Sequence, residues 1–255
     1  MRHRKDVAQT ATPGVGSFFL CWQSAHLVGR RRSGGYAVAE LATEREIAAQ
    51  PGQFLMARTE GGPALPRPLS LLWSAGNRVA FLVKDEGLLR ARLAEAPRGT
   101  RFEVRGPYGV PFLEAVDPNR QYILVGGGSG IAPLQFFWQR HPELVESVVF
   151  GLRRATDAGV LPDTPVLVEE QGQGSAGAQA LSLWRPGLGM IACGPKEMFF
   201  QLADGLPDRR GVYVALEERM GCAYGACQGC VVMTREGPCR LCLEGPLLPL
   251  ERLPW

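Results

Sequence analysis

Five of the seven cysteines lie in the last fifth of the chain, and the first three of these five fall within nine residues. Cys222, Cys227 and Cys230 follow the spacing C-x4-C-x2-C, and eleven further residues separate Cys230 from Cys242. Thiolates are soft ligands that suit iron–sulfur centres, and the spacing of the first three matches the loop around a plant-type [2Fe–2S] cluster. The intervening glycines allow the sharp bends that bring backbone N–H groups towards the cluster sulfides. The sequence therefore predicts a [2Fe–2S] cluster held by these four cysteines, with residues 221–230 as the cluster loop.

Two cysteines are candidates for the fourth cluster ligand. Only eight residues separate Cys239 from Cys230, and Val231–Met233 already reads as a strand that leaves the cluster loop. Residues 240–243 have the character of a return strand, which would bring the sulfur of Cys242 back beside the cluster. Cys242 is therefore the predicted ligand.

A zinc site is the alternative metal centre. It would pair two C-x2-C units, Cys227 with Cys230 and Cys239 with Cys242. This arrangement leaves Cys222 without a role. It also does not explain why the preceding part of the chain has the pattern of a redox protein.

Length, charge and cysteine distribution limit the class of protein. A chain of 255 residues suggests one large or two ordinary domains. The net charge of +3 is small, so nucleic acid is not a natural partner. Cysteines grouped near one end do not look like the disulfide framework of a small secreted protein, which favours a cytoplasmic location.

Residues 1–33 read as a separate extension. A basic start is followed by an apolar run, Ser17–Gly29, and then by Arg30-Arg31-Arg32. The run is too short to span a membrane, and no clean cleavage site follows it as in a signal peptide. No other segment is long and apolar enough to cross a membrane. We therefore expect residues 1–33 to be disordered and the protein to have no membrane part.

Short strand-like runs, separated by Gly, Pro and Asn, fill residues 34–118. They are Tyr36–Leu41, Gln53–Ala57, Leu69–Trp73, Arg78–Val83 and Arg101–Arg105. One helical segment, residues 87–96, interrupts them. Many short strands with turn signals between them predict a small antiparallel barrel.

The pattern changes at Gln121. Tyr122–Val125 is a continuous apolar run, as in a strand buried on both faces, and Gly126–Gly130 follows it directly. A strand, a glycine turn and a helix present N–H groups and a helix dipole to a pyrophosphate, although this turn is not the full dinucleotide fingerprint. Further apolar runs at 147–150, 165–168 and 188–193 predict a parallel α/β domain over residues 119–215. Residues 216–255 remain as a short cluster-binding subdomain.

Four motifs together resemble the ferredoxin–NAD(P) reductase superfamily. They are Arg67-Pro68-Leu69-Ser70 (R-x-x-S/T), Gly106-Pro107-Tyr108-Gly109 (G-P-x-G), Gly126–Pro133 (G-G-G-x-G-I-A-P) and Cys193–Met198 (C-G-P-x-x-M). The tail, which ends in Cys242-Leu243-Glu244-Gly245-Pro246, is more narrowly similar to the electron-transfer subunits of NAD-dependent bacterial dihydroorotate dehydrogenases. The resemblance covers about residues 34–250. It implies a β + α/β fold with an antiparallel FAD-binding barrel, a parallel α/β nicotinamide-binding domain and a short C-terminal [2Fe–2S] subdomain.

The resemblance also implies where FAD and NAD bind. The residues implied for FAD are Arg67, Pro68, Leu69, Ser70, Leu82, Val83, Lys84, Gly87 and Leu88. The residues implied for NAD are Gly126, Gly127, Gly128, Gly130, Cys193, Gly194 and Pro195. Relatives usually have Gly-Thr where this chain has Gly87-Leu88, so a hydroxyl contact to the FAD pyrophosphate would be lost here. Arg153 and Arg154 leave the choice between NAD and NADP open, and Glu217 and Glu218 either approach the flavin edge or are solvated.

The function implied by the resemblance is an electron relay in pyrimidine biosynthesis. A partner subunit carrying FMN would oxidise dihydroorotate, and the two kinds of subunit would form a heterotetramer. Electrons would pass through the [2Fe–2S] cluster to FAD, which would deliver a hydride to NAD⁺. No acid or base for the dihydroorotate step is expected in this chain.

Two alternatives remain open at the level of sequence. One is an NAD(P)H-dependent ferredoxin-type reductase with a different partner. The other is a non-catalytic iron–sulfur redox sensor, although a sensor would have no reason to keep both the FAD and the nicotinamide motifs.

Overall fold

The structure, a computed structural model, describes residues 21–255. Its first sheet has seven strands: β1 (Gln23–Ser33), β2 (Tyr36–Thr43), β3 (Phe54–Arg58), β4 (Arg67–Ser70), β5 (Trp73–Ala75), β6 (Arg78–Lys84) and β7 (Arg101–Tyr108). Their order across the sheet is β4-β3-β7-β1-β2-β6-β5, and every pairing is antiparallel. The two edge strands are joined by only Leu71 and Leu72, so the sheet must curl until its edges approach each other. The predicted antiparallel barrel is confirmed.

Strand β6 shows how the barrel positions its neighbours. Its central residues are buried on both faces. Phe81 and Val83 point into the barrel interior, whereas Ala80 and Leu82 pack against the following domain. Because side chains alternate along a strand, this short apolar run contributes both to the core of the barrel and to the core that it shares with the following domain. Helices α1 (Leu88–Glu95) and α2 (Phe112–Ala115) complete this part of the chain.

The prediction of a disordered extension is wrong for Gln23–Ser33, which forms β1. This strand pairs with β2 from Ala25 to Ser33 and with β7 from Gln23 to His26. The strand was not predicted because three consecutive arginines are typical of a solvent-exposed basic segment. Two of them instead reach across to backbone carbonyls, since Arg30 donates to Ala96 O at 2.7 Å and Arg31 to Val160 O at 3.1 Å. Residues 1–20 lie outside the described residues.

A second difference concerns the predicted strand Leu69–Trp73. The structure divides it between β4 and β5, and Leu72 N–H donates to Ala80 O at the break. The apolar run was continuous in sequence, but the barrel has to turn a corner within it.

The second sheet carries five parallel strands: β8 (Tyr122–Gly127), β9 (Val145–Leu152), β10 (Val166–Val168), β11 (Gly189–Cys193) and β12 (Val212–Ala215). Their order is β10-β9-β8-β11-β12. The helices that connect them are α3 (Ile131–Arg140), α4 (Ala155–Ala158), α5 (Ala176–Leu183) and α6 (Lys196–Gly205), with short 3-10 turns at Gly128–Gly130, Pro142–Leu144 and Glu169–Gln171. This is the parallel α/β domain that the apolar runs predicted.

The C-terminal part begins with residues 216–230, which contain neither helix nor strand. The hairpin β13 (Val231–Thr234) and β14 (Gly237–Arg240) follows, then the one-turn helix α7 (Leu241–Glu244), the strand β15 (Leu247–Pro249) and a 3-10 turn, Leu250–Arg252. Strand β15 pairs antiparallel with β12, so the tail returns to the parallel sheet across the predicted boundary at residue 216. The division of the chain into domains stays a prediction.

The return strand of the hairpin differs from the prediction for residues 240–243. The strand is β14, in which Cys239 faces Val232, and Cys242 lies one turn further on in α7. The predicted strand is wrong because the chain must turn before Pro246 to enter β15. Among the described residues, no helix is both long and apolar enough to cross a membrane.

Candidate functional site

A cleft of about 610 Å³, called the flavin cleft below, opens between the barrel and residues 216–220. Five of the residues predicted to bind FAD line it: Arg67, Pro68, Leu69, Ser70 and Leu82. The first four form the edge strand β4, which pairs on one side only, with β3. Pro68 is tolerated there because an edge strand leaves backbone positions that need no N–H donor.

The other predicted FAD residues do not line this cleft. Val83 is buried in the barrel interior, Lys84 forms an ion pair with Glu86, and the side chain of Leu88 is 64% exposed. Helix α1 begins after Gly87 without a side-chain cap, so its first N–H groups stay available to an anion. Contacts from this region to FAD stay a prediction.

Sequence reasoning missed Arg90, which lines the flavin cleft from the first turn of α1. A cation in the first turn of a helix opposes the helix dipole. An arginine at that position gains nothing from the helix and is better explained by an anionic ligand, and this signal was present in the sequence. Arg90 supplies a charge near the turn where the usual threonine hydroxyl is missing.

Residues 216–220 form the wall of the flavin cleft opposite β4. Glu217 and Glu218, whose position the sequence left open, both line the cleft. Glu218 accepts a hydrogen bond from Lys196 Nζ at 3.4 Å, which links this wall to the first residue of α6. Met220 also lines the cleft, two residues before the first cysteine of the cluster loop.

Two glycine-containing motifs meet at the carboxyl ends of β8 and β11. Cys193 pairs in register with Gly126, and a Cβ built on Gly127 would lie 2.9 Å from Pro195 Cδ. A Cβ on Gly130 would collide with the carbonyl of Cys193. Gly126–Gly130 and Cys193–Pro195 therefore form one continuous backbone surface, called the nicotinamide floor below. Such a surface at the ends of parallel strands is suited to a dinucleotide.

Cys193 is buried in the nicotinamide floor. Its burial raises the pKa of the thiol well above its usual value, and the carboxylate of Glu217 raises it further. The thiol is therefore neutral, and it contributes shape rather than charge to this surface.

The two arginines that left the nicotinamide choice open have carboxylate partners. Arg154 pairs at 3.4 Å with Asp157, which is almost wholly buried, and Arg153 lies 3.8 Å from Glu169. Glu170 also accepts a hydrogen bond from the N–H of Ala155 at 2.5 Å. Acidic groups around this turn disfavour a 2′-phosphate and are compatible with the hydroxyl of NAD.

The first two cysteines of the cluster loop face each other. The N–H of Cys227 donates to Cys222 Sγ at 3.3 Å, and the N–H of Cys222 donates to Cys227 Sγ at 3.5 Å. Gly229 donates a third N–H to Cys227 Sγ at 3.4 Å. The hydrogen bonds that the Cys227 sulfur accepts, first that from Gly229 and then that from Cys222, lower the pKa of Cys227 to about 7. The loop bends through left-handed backbone at Ala223, Gln228 and Gly225 to aim its N–H groups at sulfur.

The other two predicted ligands form a second, buried pair. Cys242 is hydrogen-bonded to Cys230, and burial followed by this bond raises the pKa of Cys242 to about 12. The N–H of Gly225, in the cluster loop, also approaches the sulfur of Cys242. Burial and then the carboxylate of Glu244 raise the pKa of Cys239, and Cys230 is a weaker neighbour of this thiol without a hydrogen bond to it. These contacts favour Cys242 over Cys239 as the fourth ligand.

The donor set fits a two-iron cluster. In a [2Fe–2S] centre each iron is held by two protein ligands, and here the sulfurs are arranged as the pairs Cys222/Cys227 and Cys230/Cys242. Within residues 21–255, no three His, Cys, Asp or Glu side chains are gathered closely enough to hold a single metal ion. The pairs Cys222/Cys227 and Cys230/Cys242 also differ from the pairs that the zinc alternative requires, Cys227 with Cys230 and Cys239 with Cys242.

The cluster loop and the flavin cleft are physically joined. Pro246, four residues after Cys242, lines the flavin cleft. Its carbonyl accepts a hydrogen bond from the N–H of Leu216 at 3.0 Å, and the carbonyl of Gly245 accepts one from Val110 at 2.7 Å. The tail is therefore tied both to the wall of the cleft and to the barrel.

Comparison with known proteins points to one family. The model of the iron–sulfur cluster binding domain of dihydroorotate dehydrogenase B matches residues 217–254. The dihydroorotate dehydrogenase B (NAD(+)) electron transfer subunit of Geobacillus kaustophilus strain HTA426 is 35% identical over 219 residues, which cover 78% of this chain and 84% of the relative. The corresponding subunit of Bacillus velezensis is 32% identical over 223 residues, with 80% and 87% covered.

Solved structures agree on the fold. The NADH-dependent reduced ferredoxin–NADP oxidoreductase superposes with a TM-score of 0.72 at 22% identity, over 91% of this chain and 90% of the other. The ferredoxin reductase of carbazole 1,9a-dioxygenase gives a TM-score of 0.63 at 19% identity, over 76% and 68%. At these identities the likeness shows the fold alone. The extended similarity in sequence goes further, and the chain belongs to the family of electron transfer subunits of dihydroorotate dehydrogenase B.

Proposed function

We propose that this chain carries electrons between a catalytic partner subunit and NAD⁺ by way of a [2Fe–2S] cluster and FAD. The observation that carries the proposal is the shared wall of the two sites. Met220 lines the flavin cleft, and the first predicted cluster ligand, Cys222, follows two residues later. Two residues of chain span at most about 7 Å. This short separation supports a direct transfer of electrons between the cluster and FAD.

The residues of this chain bind and separate the cofactors. When bound, the cluster exchanges single electrons and FAD collects two for hydride exchange with NAD⁺. Arg67 and Arg90 supply fixed cations for FAD, and the first N–H groups of α1 supply donors for its pyrophosphate. The nicotinamide floor receives the dinucleotide at the other side of the cleft.

The partner is proposed to be an FMN-containing dihydroorotate dehydrogenase subunit, in a heterotetramer of the two chains. The name of the relatives, electron transfer subunit, supports a catalytic partner. The surface around the cluster loop supports docking there, because Tyr224, Met233 and Leu243 are 45%, 63% and 43% exposed. Exposed apolar side chains gathered at a functional site are typical of an interface. The acid–base chemistry on dihydroorotate belongs to the partner in this scheme.

Co-expression of this chain with the FMN subunit tests the proposal. The purified complex should show flavin and cluster absorption, and native mass spectrometry should give two copies of each chain. Anaerobic dihydroorotate should reduce the cluster and both flavins, and NAD⁺ should reoxidise them. The FMN subunit alone, as the control, should not reduce NAD⁺.

Two results would contradict the proposal. A complex that couples dihydroorotate to NAD⁺ without any cluster would remove the relay. A chain that binds no such subunit and instead transfers electrons from NADPH to ferredoxin would be a reductase of the ferredoxin type.

A further inference from the structure

Arg105, near the end of β7, lies against the cluster loop. Its Nη2 donates a hydrogen bond to the carbonyl oxygen of Cys222 at 2.9 Å. Three aromatic rings surround the guanidinium: its carbon lies 4.6 Å from the ring centre of Trp22, 5.7 Å from Tyr224 and 6.0 Å from Tyr108. Arginine stacks on aromatic faces and is held in one orientation by them. The barrel therefore presents a fixed cation to the loop that carries the first cluster ligands.

The charge of Arg105 has no carboxylate partner among residues 21–255. The carboxylate two positions earlier on the strand, Glu103, pairs instead with Arg58 at 2.8 Å and with Arg101 at 4.0 Å. The Nε of Arg105 is buried and has no hydrogen-bond partner in the described part of the chain. A buried polar atom without a hydrogen-bond partner is costly, and so is a partly buried charge without a counter-charge. The hydrogen bond to Cys222 places this charge beside one of the four thiolates that would hold the cluster.

We propose that Arg105 is a positioning residue that fixes the cluster loop at Cys222 and raises the reduction potential of the cluster. The potential of an iron–sulfur centre depends on net charge, on hydrogen bonds around its ligands and on exposure to solvent. Reduction adds negative charge, and a fixed cation in a partly buried, aromatic setting stabilises the reduced state more than it would in water. The inference rests on the proposed cluster site and assigns to the barrel a part in tuning it.

The chain offers a matched control in Arg58. Its guanidinium carbon lies 4.2 Å from the centre of the same Trp22 ring, so it makes the same kind of aromatic contact. Its charge, however, is paired with Glu103, and within residues 21–255 no hydrogen bond joins it to the cluster loop. Changes at Arg58 therefore report the loss of a stacked arginine without the loss of the contact to Cys222.

The experiment is an electron paramagnetic resonance titration of the cluster potential in the full chain, purified in the complex that it forms. Arg105→Gln keeps an N–H donor, on a shorter side chain, and removes the charge, Arg105→Lys keeps the charge, and Arg105→Met loses both. We expect both neutral variants to shift the reduction equilibrium about tenfold towards the oxidised cluster, which is ~59 mV for a one-electron couple. Arg105→Lys and Arg58→Gln should stay close to the wild type. The rate of cluster loss to a chelator should rise several-fold in Arg105→Met.

The outcomes distinguish a failure of this inference from a failure of the proposed function. Wild-type potentials in both neutral variants would overturn the inference. Loss of flavin together with the cluster in both would also overturn it, because Arg105 would then serve the fold as a whole. Neutral variants that keep flavin but hold no cluster, beside an Arg105→Lys variant that holds one, would support it. A wild-type protein without any cluster would instead refute the proposed function.

Discussion

The nicotinamide floor rests on the carboxyl ends of two paired parallel strands, whereas the cluster loop contains neither helix nor strand. In the floor, glycine backbone packs directly on backbone and on Pro195, so the surface is shaped by the sheet itself. In the cluster loop, the shape depends on a few N–H bonds to sulfur and on the contact with Arg105. A site of the first kind is formed before its ligand arrives, and a site of the second kind is completed by its metal.

The largest effect expected from this difference is the loss of the cluster in Cys242→Ser. Serine is a harder ligand than thiolate, so the electron paramagnetic resonance signal of the reduced cluster should disappear or change strongly. The nicotinamide floor should be unaffected, and NADH should still reduce the bound flavin. Failure of that reduction in Cys242→Ser would show that the two regions are not independent.

Cys239→Ser is the matched control for that prediction, and it should leave the signal intact. Loss of signal in Cys239→Ser alone would make Cys239 the ligand. Loss in both variants would indicate that Cys239 supports the site through its neighbours.

The flavin cleft lies between the nicotinamide floor and the cluster loop. Arg67→Ala should weaken FAD binding in the cleft and leave both of these regions unchanged. A charge-assisted hydrogen bond contributes about 1.5–3 kcal/mol, so the affinity for FAD should fall about ten- to a hundredfold. Arg90→Ala should have a smaller effect in the same direction. Arg92→Ala, an exposed arginine on the same helix, is the control. Fluorescence titration of FAD into flavin-depleted protein measures all three, and unchanged affinity in Arg67→Ala would remove that residue from the site.

A pair of glycine substitutions compares the two regions directly. A Cβ on Gly130 would strike the Cys193 carbonyl, whereas a Cβ on Gly229 would make an ordinary contact, 3.5 Å from Cys227 Sγ. Overpacking of this kind costs about 1–3 kcal/mol, so Gly130→Ala should lower the free energy of unfolding by that amount. Gly229→Ala should change it little. Urea unfolding measures both variants. If Gly130→Ala and Gly229→Ala were equally destabilised, the floor would not be more tightly packed than the cluster loop.

The smallest effect concerns the choice of nicotinamide. Glu169→Gln frees Arg153 from its exposed ion pair, which is worth at most about 1 kcal/mol. The ratio of kcat/KM for NADPH to that for NADH should therefore rise by no more than about fivefold. Steady-state kinetics with both nucleotides measure it. A fall in the ratio would show that the 2′-position does not lie near Arg153.

The structure also changes the meaning of one substitution that the sequence suggests. Because Gly128 is among the residues implied for NAD, the sequence predicts that a valine there would block the dinucleotide and leave FAD bound. Its φ of +58° and the approach of Tyr36 Oη, 2.9 Å from a Cβ built there, mean that a valine would strain the turn itself. Loss of NADH binding in such a variant would therefore not distinguish blocking from misfolding.

Features that depend on neighbouring residues could be predicted from the sequence, whereas features that depend on contacts between distant residues could not. Continuous apolar runs such as Tyr122–Val125 gave the strands correctly because burial on both faces leaves a local signal. Strand β1 was missed because its arginines bond to carbonyls more than sixty residues away. Arg105 was missed for the same reason, since its partner Cys222 is 117 residues further on. Arg90 is different, because a cation in the first turn of a helix was a local signal that could have been used.

The pairing of β15 with β12 makes the iron–sulfur part an insertion between two neighbouring strands of one sheet. Ala215 and Leu247 are register partners, so the chain leaves and re-enters the sheet at points only about 5 Å apart. A short turn could therefore replace residues 216–246 without separating the ends of the scaffold. The excised piece, however, includes Met220 and Pro246, which wall the flavin cleft. A protein shortened in this way would keep the two strands adjacent, but it would expose its flavin to water and oxygen and would lose Met220, Cys230 and Leu241 from the buried core around Phe54 and Ile123.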